Sequence, residues 1–269
     1  YQDNYLMAKN QSIECLWKKI QDKAQEVSSS EPALGSYMQT NILSHDSLSS
    51  ALGLLLAQKL QCASVPEGAL HDIFHLVFSA NASIQSIAND DIQAITQRDS
   101  ACHNFLSAFM YYKGFHALQA WRASHWLWEQ GRKSLALMLQ NRISVVFGVD
   151  IHPAAQIGKG VMFDHATGIV IGETAVIEDC VSILQGVTLG GTGKKTGDRH
   201  PKVRRGVLIG PGATILGNIE IGEGSKIIAA SVVLKDIPPH TIASGVPAEV
   251  IDVMQTDSPA EKMDQSLSG

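Results

Sequence analysis

From Ile151 onward an apolar residue returns every six positions. Ile151, Ile157 and Phe163 open the series; after a two-residue slip it resumes at Ile171, Ile177, Ile183 and Leu189, breaks between Gly190 and Lys202, and restarts at Val203, Ile209, Ile215, Ile221, Ile227 and Val233. A fixed short period marks a solenoid, because each repeat can bury its apolar side only against its neighbours. Six residues are too few for a helical hairpin. A recurrent inward residue, often followed by Gly as in Ile157-Gly158, Ile171-Gly172, Ile209-Gly210 and Ile221-Gly222, predicts short flat strands joined by sharp corners. Small residues at the fifth hexad position, as in Ala175, Val181, Val187 and Ala213, agree with this. Three strands make one triangular coil of a parallel β-helix, and about thirteen hexads predict roughly four coils over residues 148–254.

Upstream the period is helical. Ile13, Leu16, Trp17 and Ile20, and again Leu70, Ile73, Phe74 and Val77, recur at three-to-four spacing, which predicts an α-helical domain over 8–147. Helix starts are expected at Ser30-Glu31-Pro32, Ser47, Pro66 and Asn89-Asp90-Asp91, each offering a cap or a first-turn proline. The Trp- and Leu-rich stretch from Tyr112 to Phe147 reads as two long helices broken near Gly131. Beyond Pro238-Pro239 the hexads end, and 255–269, polar and aperiodic, reads as a flexible tail.

Composition narrows the function. A net charge of −5 argues against nucleic-acid and membrane surfaces as partners. No apolar run is long enough to span a bilayer and no leader pattern opens the chain, so a cytoplasmic location is expected. Cys15, Cys62, Cys102 and Cys180 are scattered, without a CxxC pair, as reduced structural thiols are.

Candidate chemistry gathers in the first coils and in the interrupted hexad. In an unbroken hexad register Asp150 and His165 would share a prism face in adjacent coils, and a carboxylate beside an imidazole is how the tautomer of a general base is fixed. A plain solvent-facing His165 fits the periodicity equally well. The stretch Gly190–Lys202 is dense in Gly and cations. With Arg199 and His200 near its end it is placed to close over an anionic group, although a solubilising excursion would have the same composition. His71 and His75 lie four apart on a helix but lack the HExxH pattern and a third ligand, so no metal is expected there.

Several longer stretches carry a more specific signal: DIHPAA at 150–155, DHATGIVIGETAVI at 164–177, ILQGVTLGGTG at 183–193, GDRHPK at 197–202, ILGN at 215–218 and PPHTIASGVPA at 238–248. In these the chain resembles the serine acetyltransferases, hexapeptide-repeat enzymes that acetylate L-serine with acetyl-CoA in the first step of cysteine biosynthesis. The resemblance implies an N-terminal helical domain followed by a left-handed parallel β-helix with an inserted loop. It implies His165 as general base with Asp150 orienting it, Asp99 and Asp164 holding the substrate ammonium, and Arg199 and His200 its carboxylate. L-cysteine, with the same ammonium and carboxylate, is implied as a feedback inhibitor at the serine site. Acetyl-CoA is implied along a groove between neighbouring subunits, near Gly191, Gly212, Ala213, Ile228 and Ala229, with no metal. The chain departs from the family pattern at Ile228 and Ala230, where Gly is common, at Glu249, where a basic residue is common, and at Ser100, where Pro is usual.

The resemblance also implies a homotrimer, or a dimer of trimers joined through the helical domain. O-acetylserine sulfhydrylase is an implied partner through a C-terminal peptide ending in Ile. This sequence ends in Gly269, and burying an Ile is worth roughly 1.5–3 kcal/mol, so weak docking is expected. Three other readings remain on the residues alone: an acyltransferase with a sugar or xenobiotic acceptor, a metal hydrolase using His152, His165 and His200, and a scaffolding solenoid.

Overall fold

A computed structural model describes residues 2–193, 196–254 and 258–266. Its N-terminal part is helical: α1 (Gln2–Ser30), α2 (Gly35–Met38), α3 (Leu48–Leu60), α4 (Glu67–Ala80), α5 (Ala82–Arg98), α6 (Phe105–Tyr111), α7 (Lys113–Glu129) and α8 (Lys133–Phe147). The expected signals at Ser47 and Pro66 are the N-caps of α3 and α4, and the Ser47 side chain accepts from the Ser50 amide. Gly131, at φ 75°, separates α7 from α8. Asn89-Asp90-Asp91 is not a helix start. It lies inside α5, which is capped instead by Asn81. The reason is tertiary: the Asp91 carboxylate is buried and takes hydrogen bonds from Gln119 Nε2 (2.8 Å) and from Arg122 Nη2 (2.8 Å) and Nε (3.2 Å) on α7.

The hexads form thirteen short strands: β1 (Val149–Ile151), β2 (Gln156–Ile157), β3 (Met162–Phe163), β4 (Ile169–Ile171), β5 (Val176–Ile177), β6 (Ser182–Ile183), β7 (Thr188–Gly190), β8 (Lys202–Val203), β9 (Leu208–Ile209), β10 (Thr214–Leu216), β11 (Glu220–Ile221), β12 (Lys226–Ile227) and β13 (Val232–Val233). They stack in parallel as three faces of a prism. The first face is β1-β4-β7-β10-β13 and the second β2-β5-β8-β11. The third is β3-β6-β9-β12, extended by β14 (Thr241–Gly245) and an antiparallel β15 (Ala248–Val253). Each face stacks its hexad-opening residues in register inside the prism. On the first face these are Ile151, Ile171, Leu189, Ile215 and Val233, all buried. Burying each such side chain is worth roughly 1.5–3 kcal/mol, which is why the period is kept so strictly.

The prism has a fifth coil beyond the four expected. After β13, Ile237 bridges to Ile221 on the second face and β14 pairs with β12 on the third. Pro238-Pro239 hides this coil from the hexad pattern because proline cannot donate to a regular ladder.

Buried hydrogen bonds and close packing tie the helical domain to the prism. Besides Asp91, Arg122 reaches the carbonyls of Ile157 (3.2 Å) and Gly158 (2.7 Å), while Asp91 Oδ1 accepts from the Val161 amide (3.0 Å). Gly114 of α7 lies against β3 so closely that a Cβ there would stand 2.1 Å from the Phe163 carbonyl oxygen.

The expected tail is in part docked. A short helix α9 (Pro259–Lys262) buries Pro259 and Ala260, and the Ala260 carbonyl accepts from Ser182 Oγ (2.9 Å). Further on, the Ser266 carbonyl accepts from the buried Lys226 Nζ (2.8 Å). Four residues are too few for a helical period to be legible. Gln255–Asp257 and the terminal Leu267–Gly269 lie outside the described residues.

Candidate active site

The two-residue slip in the hexads falls between β3 and β4, at the edge where the third face turns into the first. The extra residues build a tight corner, Asp164 to Thr167, in which His165 (φ 52°) and Ala166 (φ 63°) are both left-handed. Left-handed non-glycine residues are costly and persist where surrounding structure holds them. The corner throws the His165 ring outward, 74% exposed, with Nε2 3.9 Å from Asp164 Oδ1.

Beneath this corner the helical domain closes a cavity of about 430 Å³, lined by Asp99, Tyr112, Lys113, Gly114, Asp164 and His165 among others. Asp99 ends α5. Its Oδ1 accepts from the Ala101 amide (2.8 Å) and its Oδ2 from the Tyr112 hydroxyl (2.6 Å). Burial pushes the Asp164 carboxyl above the usual carboxylate range; His165 pulls it back and Asp99 adds to the rise. Two carboxylates facing one small cavity are the complement of an ammonium group.

A second cluster sits at the opposite edge of the first face, where it turns into the second. Arg199 Nη2 donates to Glu173 Oε2 (2.6 Å), and this pairing holds the Glu173 carboxyl low. His200 is 7% exposed. Thr174 Oγ1 accepts from the amides of Arg199 (3.0 Å) and His200 (3.1 Å), which leaves its proton for His200 Nδ1 at 2.8 Å; the Thr174 amide also donates to Nδ1 (3.2 Å). With Nδ1 an acceptor, the ring proton is on Nε2. Burial, aided by Arg199 and Lys202, lowers the pKa of His200 and favours this neutral form. The ring needs glycine beneath it: a Cβ on Gly172 would lie 2.0 Å from its Nε2. His152 joins the cluster. Its Nδ1 accepts from the Ala154 amide (3.1 Å), its ring meets Trp128 edge-on, and burial lowers its pKa.

The residues expected to work together are therefore divided. Asp99, Asp164 and His165 share one edge of the first face; Arg199 and His200 occupy the other. Asp150 lies on the first face itself and not in the corner that carries His165. It projects from the middle of β1, takes a hydrogen bond from Gln140 Nε2 (2.8 Å), and its charge is felt by His152. The hexad register misplaced His165 because the slip moves it out of a strand into the corner. His165 is likewise on a different edge from His152 and His200, and within the chain no three His, Cys, Asp or Glu side chains among the described residues are grouped to hold a metal.

The residues expected near the cofactor divide the same way. Gly212 (φ 69°) and the corner following β12, with Ile228, exposed Ala229 and left-handed Ala230 (φ 57°), continue the His165 edge downward. Between His165 and Gly212, Cβ atoms built on Gly168 and Gly186 would meet only backbone of the next corner glycine, the nearest atoms at 3.4 and 3.5 Å. Ala213 is buried, so only its backbone is available. Gly191 lies across the face, 3.6 Å from His200 Nε2 measured from its built Cβ. Glu173, Thr174, Gln140 and Tyr112 were not singled out from the sequence, and His152 only as a metal-ligand candidate. Glu173 and Thr174 lie inside a quoted motif, but their partners come from the inserted loop 25 and 26 residues away.

A helical domain seated on a parallel β-helix, with an exposed imidazole on one edge and an Arg–His pair on the next, is the build of a hexapeptide-repeat acyltransferase. The particular family follows from comparison. Residues 16–120 match the family model "Serine acetyltransferase, N-terminal". The chain is 52% identical to the serine acetyltransferase of Salmonella typhimurium over 259 residues, 96% of this chain and 95% of that one. It superposes on the Vibrio cholerae serine acetyltransferase structure with a TM-score of 0.93 at 54% identity, covering 94% of this chain and 98% of that one. A serine acetyltransferase solved in complex with cysteine matches at 0.92 and 53%, covering 94% of this chain and 98% of that one. The soybean enzyme complexed with serine matches at 0.87 and 53% (89% and 99%), and the Brucella abortus enzyme in complex with coenzyme A at 0.88 and 48% (90% and 97%). The chain belongs to the serine acetyltransferase family and is an acyltransferase.

Proposed function

We propose that the chain transfers acetyl from acetyl-CoA to the hydroxyl of L-serine, and that each active site is assembled between two copies of the chain. The observation that carries this is the placement of the two clusters on the two edges that bound one prism face. Three prisms packed about a common axis with their first faces inward would bring the His165 edge of each against the Arg199 edge of the next. That face suits such packing: beyond Asp150, which heads the ladder, Val170, Thr188, Thr214 and Val232 stand in register on its outside as uncharged, β-branched side chains. Serine would then lie with its ammonium between Asp99 and Asp164 and its carboxylate on Arg199 and the Nε2–H of His200 from the neighbouring copy.

In this arrangement His165 takes the serine hydroxyl proton as the oxygen attacks the thioester carbonyl. The tetrahedral adduct collapses, the carbon–sulfur bond breaks, and the imidazolium returns the proton to the departing sulfur. Asp150 of the neighbouring copy, held by Gln140, would orient the ring. The bare edge through Gly168, Gly186 and Gly212 lets an extended thioester arm lie directly on backbone and reach His165. Cysteine offers the same ammonium and carboxylate and would compete for the same grip. A thiol-release assay with acetyl-CoA tests the reading: L-serine should be acetylated in preference to sugars and other alcohols, and preference for a non-amino-acid acceptor would overturn it.

A further inference from the structure

We infer that Tyr112 is a positioning residue for amino-acid recognition: its phenol holds the Asp99 carboxylate in place across the cavity from Asp164. The inference rests on the reading of those two carboxylates as the ammonium site. Its starting point is an electrostatic problem. Two carboxylates that share one cavity repel, and the rise in the Asp164 pKa includes a contribution from Asp99. Asp99 sits just past the last turn of α5, in extended conformation (φ −93°, ψ 110°), so nothing in the helix itself fixes its side chain. Left free, it would relieve the repulsion by turning away.

Two hydrogen bonds prevent this, and they come from different elements. The Ala101 amide holds Oδ1 from the turn after α5, and Tyr112, at the N-cap of α7, holds Oδ2 from thirteen residues away. The phenol is in turn in hydrogen-bonding contact with the buried Cys102 thiol, and burial followed by the Asp99 bond drives its pKa far upward, so it stays protonated and remains a donor. Each carboxylate oxygen spends one lone pair on these bonds and keeps another for a ligand. An ammonium with three donors can then bridge Asp99 and Asp164 without any rearrangement of the protein, which is the advantage of a preorganised site.

Tyr112 touches neither the reacting atoms nor the carboxylate end of the ligand in this arrangement, and that separates positioning from a merely structural role. Two inhibitors make the test: L-cysteine and 3-mercaptopropanoate, identical in thiol and carboxylate and differing in the ammonium. Tyr112→Phe keeps the ring and removes the hydroxyl; Asp99→Asn keeps the turn to Ala101 and removes the charge. In the full-length protein, Tyr112→Phe should weaken L-cysteine inhibition and raise the KM for L-serine on the order of tenfold, with kcat, the KM for acetyl-CoA and 3-mercaptopropanoate inhibition nearly unchanged. In the Asp99→Asn background the same substitution should have no further effect. The inference is overturned if Tyr112→Phe weakens both inhibitors equally, if its effect persists undiminished with Asp99→Asn, or if it leaves L-cysteine inhibition intact while Asp99→Asn abolishes it. The last outcome would spare the ammonium-site reading. If Asp99→Asn itself fails to distinguish the two inhibitors, the ammonium-site reading falls and the inference with it. Calorimetric titration with L-cysteine supplies the same comparison without turnover.

Discussion

His165 and Arg199 stand on the two edges that bound the same face of the prism, one in the corner between β3 and β4, the other beside the turn that follows β4. If one site draws on both, it draws on two copies of the chain. Mixing His165→Ala subunits with Arg199→Ala subunits after dissociation should therefore restore activity that neither variant has alone. Random reassortment into trimers leaves about one quarter of the interfaces with both residues intact. Thiol release near zero in the mixture would mean that each chain carries a complete site, and light scattering showing an active monomer would mean the same.

Removing the base should be felt in turnover. His165→Ala is expected to lower kcat by a factor on the order of 10² to 10⁴ with folding intact, and Asp150→Asn by less. Near-normal turnover in His165→Ala, measured alongside an unchanged circular dichroism spectrum, would rule out the mechanism.

Arg199 is expected to serve substrate and inhibitor alike. Arg199→Ala should raise the KM for serine and weaken cysteine inhibition in parallel, with little change in acetyl-CoA binding to the free enzyme. Cysteine inhibition that survives loss of serine binding would place the two ligands at different sites.

Asp164 makes binding depend on pH. Its carboxyl is raised above the ordinary value, so as pH falls it takes up a proton sooner than a surface aspartate would. Only the ionised form attracts an ammonium, so amino-acid affinity is full above the raised value and declines below it. On that acid side binding must release a proton. Calorimetric titration of L-cysteine from about pH 4 to about pH 8 should show this acid limb, and Asp164→Asn should flatten it at the cost of affinity throughout. An acid limb unchanged in Asp164→Asn would assign the titration to another group.

Gly114 tests the seam between the domains. A methyl group there would meet the Phe163 backbone, which cannot yield as a side chain would, and Phe163 leads directly into Asp164 and His165. Gly114→Ala should destabilise the protein by about 1–3 kcal/mol, as overpacking does, and raise the serine KM. Urea unfolding and steady-state kinetics would check both, and a neutral result in each would show that the seam is slack.

How far each feature could be read from the chain depended on the range of the interactions behind it. The thirteen strands were legible because every hexad solves the same local problem: one aliphatic residue must point inward at each strand and a small residue must fit near each corner. The division between helical and solenoid domains was legible for the same reason, as a change of period at about Gly148. Asp91 was misread as a helix start because an acidic residue beside Asn and Asp is a local capping signal; only the arrival of Arg122 and Gln119 from α7 allows its charge to be buried. The fifth coil and α9 were too short or too proline-rich to carry a period.

The site itself divides along the same line. Its residue types stood out in the sequence, as did the slip and the inserted loop that hold them. Their partners did not. Tyr112 meets Asp99, and Thr174 meets His200, across chain separations that no period spans. Above all, the separation of His165 from Asp150 and Arg199 is a property of the prism: six-residue spacing dictates which residues face outward, but the edge to which each belongs is decided by how many residues the preceding corners consume, and the corner at His165 consumes two more than a regular hexad does.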